Sequence, residues 1–142
     1  MPKPSLSLLA AALLAALALP ALPARADLMQ TCQPEIQKFC SDVSRGRGRI
    51  SACLASMMPS LGAACRVDVQ GVMGSPLTPG YVRRALDPSF TAPVPAACVT
   101  PAKQLCPGFP AGSARVFACL YARSDRAGKA CNDAATATLK GR

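Results

Sequence analysis

Eight cysteines fall into two sets of four with one shared spacing. Cys32, Cys40, Cys53 and Cys65 make the first set; Cys98, Cys106, Cys119 and Cys131 make the second. Both read C-x7-C-x12-C-x11-C. Three intervals agreeing in order point to an internal duplication. Superposing the sets also matches Gly46 with Gly112, Arg49 with Arg115, Ala52 with Ala118, Leu54 with Leu120 and Gly62 with Gly128.

The residues between the cysteines have a helical period. Ile50, Cys53, Leu54 and Met57 lie at i, i+3, i+4 and i+7, and Leu28, Cys32, Ile36 and Phe39 form a similar stripe ahead of them. Pro59 and Ser60 end the second helix and open the way to a third that carries Cys65. In the second set Thr100 and Pro101 read as an N-cap and first helical residue. No strand-like alternation is present. The expected fold is all-α: two small disulfide-stapled helical repeats, each a hairpin with a returning helix.

Helical geometry prunes the pairings. Eight residues of helix separate the Cα atoms of Cys32 and Cys40 by about 12 Å, beyond the roughly 7 Å that a disulfide tolerates. Cys32–Cys40 is therefore disfavoured, and Cys53–Cys65 with it. First-to-third with second-to-fourth, and first-to-fourth with second-to-third, both remain.

The chain opens with Lys3, an apolar stretch from Leu6 to Leu19, helix-breaking Pro20 and Pro23, and the small-x-small triplet Ala24-Arg25-Ala26. This is the layout of a secretory signal peptide with cleavage after Ala26, and the apolar run is short for a membrane span. An even cysteine count in a short exported chain reads as a disulfide framework. The expected location is the periplasm in a Gram-negative bacterium, and otherwise the cell exterior. The expected organisation is a signal peptide over 1–26, one repeat over 27–74, a linker over 75–97 and a second repeat over 98–142. Gly80, Pro76, Pro79, Pro88, Pro93 and Pro95 punctuate the linker. Its length favours a tether over a packed loop. Within it, "YVRRAL" at 81–86 is expected to form one or two helical turns.

With "EIQKFC", "GRISACL" and a following fourth cysteine, the chain resembles the cysteine-rich repeat of the Golgi apparatus protein 1 (cysteine-rich fibroblast-growth-factor receptor) family. "AKQLC" and "ARVFACL" are the more diverged second instance. The resemblance implies binding of proteins or glycans, without naming a ligand for a chain of two repeats.

Composition argues against most chemistry. The chain has no histidine, so the ordinary Ser-His and Cys-His nucleophile pairs are missing. Cysteines with seven or more residues between them lack the close C-x2-C pairs of zinc sites and of thiol oxidoreductases. No catalytic residue, metal or cofactor is expected; a periplasmic redox or metal-handling protein is the rival class. The remaining clue is charge: 16 basic against 7 acidic side chains over the whole chain, a net +9. Such a balance favours an acidic envelope component or an acidic protein as partner. Nucleic acid is not expected, because export and scarce aromatics argue against it. Oligomeric state is left open. Arg45, Arg47, Arg83, Arg84, Arg123 and Arg126 are the candidate anion-binding residues. The "SRGRGRISACL" stretch divides in two on comparison with "PAGSARVFACL". Gly46, Arg49 and Leu54 recur as Gly112, Arg115 and Leu120 and read as framework. Arg45 and Arg47 belong to the first repeat alone and read as surface.

Overall fold

The computed structural model describes residues 27–141. The expected signal segment and its cleavage position lie outside the described residues. The elements are α1 (Leu28–Thr31), α2 (Gln33–Phe39), α3 (Arg49–Ser56), α4 (Ala63–Gly74), α5 (Gly80–Leu86), α6 (Val99–Leu105), α7 (Ala114–Ala122), α8 (Ser124–Ala127) and α9 (Lys129–Lys140). Short 3-10 turns cover Met58–Ser60 and Ala96–Cys98. There is no strand among the described residues, and the fold is all-α as expected. None of these helices is long and apolar enough to cross a membrane.

Local chemistry sets the helix ends. Asp27 caps α1, its carboxylate accepting a hydrogen bond from the Met29 N–H at 3.1 Å. The expected apolar stripe is broken at Cys32, which has left the helical region (φ −98°, ψ 11°) and separates α1 from α2. Glu35 in the first turn of α2 and Lys38 in its last turn match the helix dipole. Glu35 also reaches across to accept from the Gly62 N–H at 3.1 Å, tying α2 to the start of α4. One capping expectation is corrected. The helix α6 begins at Val99, directly after a 3-10 turn, so Thr100 sits inside it and Cys98 takes the cap position.

The bridges resolve the open pairing. Cys32–Cys65 and Cys98–Cys131 join first to fourth, and Cys40–Cys53 and Cys106–Cys119 join second to third. Cα separations are 4.9 and 4.7 Å for the outer pair and 6.0 Å for both inner bonds. In each half a short closed loop therefore nests inside a longer one, and all eight sulfurs lie in the core.

At the centre α3 and α7, the cysteine-bearing helices of the two halves, pack against one another. Leu54 and Leu120, matched in sequence, are both buried, Leu54 in the apolar cluster of the first half and Leu120 with Phe117 in that of the second. Ala118 and Ala122 of α7 belong to the apolar cluster of the first half, so the core runs across the boundary. Small side chains at these positions let the helices approach closely, and α7 is apolar on nearly every face, as a helix packed all round must be.

The tether expectation is corrected too. Within 75–97, α5 inserts between the halves: Val82 and Leu86 join the first apolar cluster, Ala85 the second, and Tyr81 packs against both. "YVRRAL" forms helix as expected, but it is a wedge. Downstream, the Ala92 N–H donates to Gly112 O at 2.9 Å and the Ala114 N–H to Phe90 O at 3.0 Å. Phe90 meets Phe117 edge to face at 5.5 Å. Gly112 is required at this strap: its φ is +75°, and a Cβ there would lie 2.7 Å from Ala92 O.

Candidate functional site

The loop before α3 is built by its glycines. Gly46, Arg47 and Gly48 take positive φ in succession, 96°, 53° and 72°. Arg47 is the only non-glycine in that region among the described residues, a conformation that costs an L-residue about 1–2 kcal/mol. Its carbonyl accepts a hydrogen bond from the Tyr121 hydroxyl at 2.7 Å, so a side chain of the second half holds the turn. The loop closes on itself as Arg49 donates from Nη2 to Arg45 O at 2.9 Å.

Arg49 and Arg115, paired in sequence, have diverged in use. Arg115 donates from Nε to Ser56 O at 2.7 Å, satisfying a carbonyl at the end of α3, and its guanidinium lies 5.0 Å from the Phe109 ring centre. Arg49 faces Asp125 at 3.7 Å, and its buried Nε has no hydrogen-bond partner. Both act in the framework, one across the halves and one chiefly within its own loop.

Beside this loop runs an ionic seam. Asp42 accepts from Arg123 through both carboxylate oxygens, at 3.0 and 2.9 Å, and is also paired with Arg126. Burial pushes the Asp42 carboxyl up; hydrogen bonds and charge from the two guanidinium groups outweigh it and leave the group below its ordinary value. Ser44 donates to Asp125 at 2.5 Å. That bond holds the Asp125 carboxyl low against some desolvation, with help from the Arg49 charge.

Between the seam and α5 lies a cleft of about 340 Å³. Arg47, Arg49 and Asp125 line it, as do Tyr81, Tyr121 and Asn132. The tyrosine rings meet edge to face at 6.4 Å, and Lys140 sits 5.5 Å from the Tyr81 ring centre. Burial raises the Tyr121 phenol above its ordinary pKa, reinforced by Tyr81. The cleft lining carries guanidinium, phenol, amide and carboxylate groups together, which suits recognition of a polar group.

The six candidate anion-binding arginines do not form one patch. Arg123 and Arg126 are turned onto Asp42. Arg84 donates to Leu139 O at 3.1 Å near the end of α9, and Arg83 to Ser75 O at 3.4 Å. Arg45 and Arg47 are exposed and have no ion pair among the described residues. Asp42, Asp125 and Tyr121 were missed as partners by sequence reasoning. A signal existed: each is private to one half, with Gly108, Pro59 and Ala55 at the corresponding positions. All eight cysteines are oxidised. Among the described residues no three potential ligands gather as a metal site would require.

These features define a class: an all-α protein whose helices are stapled by nested disulfides. Residues 24–62 match the family model Cys_rich_FGFR, described as a cysteine-rich repeat, so the first half carries this repeat. The match takes in Cys32, Cys40 and Cys53 and stops just short of Cys65. Neither a curated protein nor a solved structure matches the chain. Repeat and bridges together fit a non-enzymatic structural or binding module of an exported or extracellular protein.

Proposed function

We propose that the chain is a two-repeat binding module of the cell envelope that presents the loop Ser44–Arg49 and its adjoining cleft to a partner protein or acidic envelope component. One observation carries this reading: an exposed arginine, Arg47, is kept in a left-handed conformation by Tyr121 from the other half. Backbone strain retained at a surface position, and clamped from a distance of 74 residues, marks a place where presentation matters more than local stability. The nested bridges supply the rigidity that such presentation needs.

The test is a cross-linked pull-down from the source envelope fraction, comparing wild type with Arg45→Ala/Arg47→Ala. The expected result is loss of a specific captured component with an unchanged thermal melt. Equal capture by both proteins sinks the reading. A thiol count is part of the experiment, with a value near zero expected; several free, metal-protectable thiols move the protein to the redox or metal-handling class.

General polyanion binding is the second reading, favoured by the excess of basic residues and the exposed Arg45 and Arg47. It requires selective, salt-sensitive binding of one acidic component, and retention that merely follows ligand charge rejects it.

A further inference from the structure

In the second half an apolar groove of about 320 Å³ opens beside α6, at the small end of the range for ligand sites. Val94, Val99, Ala102, Phe109 and Ala111 line it, and Lys103 is the one charged residue among its lining. The cysteine register sets the groove beside its first-half counterpart. The first half has Ile36 where the groove has Ala102, and Ile36 packs against the apolar cluster there. The smaller Ala102 side chain leaves space where Ile36 fills it.

The surroundings have changed in the same sense. Gln33 and Arg45 of the first half correspond to Val99 and Ala111, so polar groups have given way to apolar ones. Val99 is left 42% exposed, although contact of apolar area with solvent is unfavourable. Space, apolar walls and exposed apolar surface coincide beside α6.

Charge narrows the occupant. Lys103 is exposed, has no ion pair among the described residues, and no acidic side chain lines the groove. The Arg115 guanidinium, 5.0 Å from the Phe109 ring centre, does not line the groove, and Lys103 is its one lining cation. We propose that the groove binds a single-chain anionic amphiphile, its alkyl chain against Val99, Ala102 and Phe109 and its carboxylate at Lys103. This stands on the groove alone and does not depend on the loop and cleft proposed above.

The test titrates the full oxidised protein with dodecanoate and with dodecyltrimethylammonium, each below its micelle concentration, followed by amide NMR shifts. Dodecanoate is expected to shift Val99, Ala102, Lys103 and Phe109 saturably. Ala102→Ile restores the first half's residue and should weaken binding about tenfold or more; Lys103→Gln should weaken dodecanoate several-fold, about 3- to 10-fold, and leave the cationic amphiphile unaffected. Val99→Gln, at an exposed position, serves if Ala102→Ile fails to fold, and is expected to weaken dodecanoate by about 3-fold or more. Shifts that map elsewhere, equal affinity for the cationic amphiphile, or wild-type affinity in a folded Ala102→Ile or Val99→Gln protein each overturn the proposal.

Discussion

The loop between α2 and α3 is charged, carrying Asp42, Arg45 and Arg47; its counterpart between α6 and α7 carries Gly108, Ala111 and Ser113. In the first half the loop reaches outward to Arg123, Arg126 and Tyr121. In the second it lies under the strap at Phe90–Ala92 and beside the apolar groove. The bridges are nonetheless the same in length and order. Cross-links that fix the helices leave the loops free to diverge. Here the charged residues of the seam, Asp42 on one side and Arg123 and Arg126 on the other, have no charged counterpart at the matching positions 108, 57 and 60.

The likeness of the halves is most sharply tested at the bridges. Replacing both cysteines of an outer bridge by Ala should cost about 4 kcal/mol, and of an inner bridge about 3 kcal/mol, by loop-closure entropy. The loops are equal, so the loss should be the same in either half. Because α3, α5 and α7 share one core, each variant should melt in a single transition by circular dichroism. Two transitions would show that the halves fold independently.

The arginines measure how far the halves differ. Arg115→Ala leaves the Ser56 carbonyl without its charged donor and should cost about 2 kcal/mol in urea titration; Arg49→Ala, whose hydrogen bond is exposed, should cost about 1 kcal/mol. Equal losses would mean that the two arginines still do one job.

The seam gives the smallest effect and a defined pH window. Asp42 has a folded pKa below its unfolded value, so its stabilisation is present above about pH 4 and is lost as pH falls through the lowered folded value. Nearly half of the side chain is exposed, and screening limits the contribution to at most about 1 kcal/mol. Asp42→Asn should flatten part of the acid limb of a stability-versus-pH curve. Asp125 and Asp87, lowered chiefly by hydrogen bonds from Ser44 and Ser89, act in the same direction and should preserve the rest. An unchanged acid limb would mean that the seam adds nothing to stability.

Spacing alone made the helices and the rejection of a Cys32–Cys40 bond legible, the first from the apolar period of about 3.6 residues and the second from a rise of about 1.5 Å per residue. The choice of first-to-fourth pairing was not legible: it depends on how α4 returns past α1, a tertiary fact. The Pro and Gly residues of 75–97 suggested a tether, yet Val82, Ala85 and Leu86 bury on two sides and override that local signal. Gly46 and Gly112, matched by the repeat, both take positive φ. The Arg123 and Arg126 pairing with Asp42 was hidden because its partners lie 81 and 84 residues apart. Charge alone marked the same two residues as anion-binding candidates.

Nesting also constrains how the bonds can be made. Were the chain oxidised strictly in the order in which its cysteines appear, Cys32 would join Cys40 and Cys53 would join Cys65, and every bond in the first half would be wrong. The same holds for Cys98 with Cys106 and Cys119 with Cys131. Correct closure requires Cys32 to stay reduced, or to be released by thiol–disulfide exchange, until Cys65 has arrived. A chain wired from the inside outward cannot be finished by an oxidant that only counts. It needs either a helical hairpin that forms before oxidation or a catalyst able to undo the first bond made.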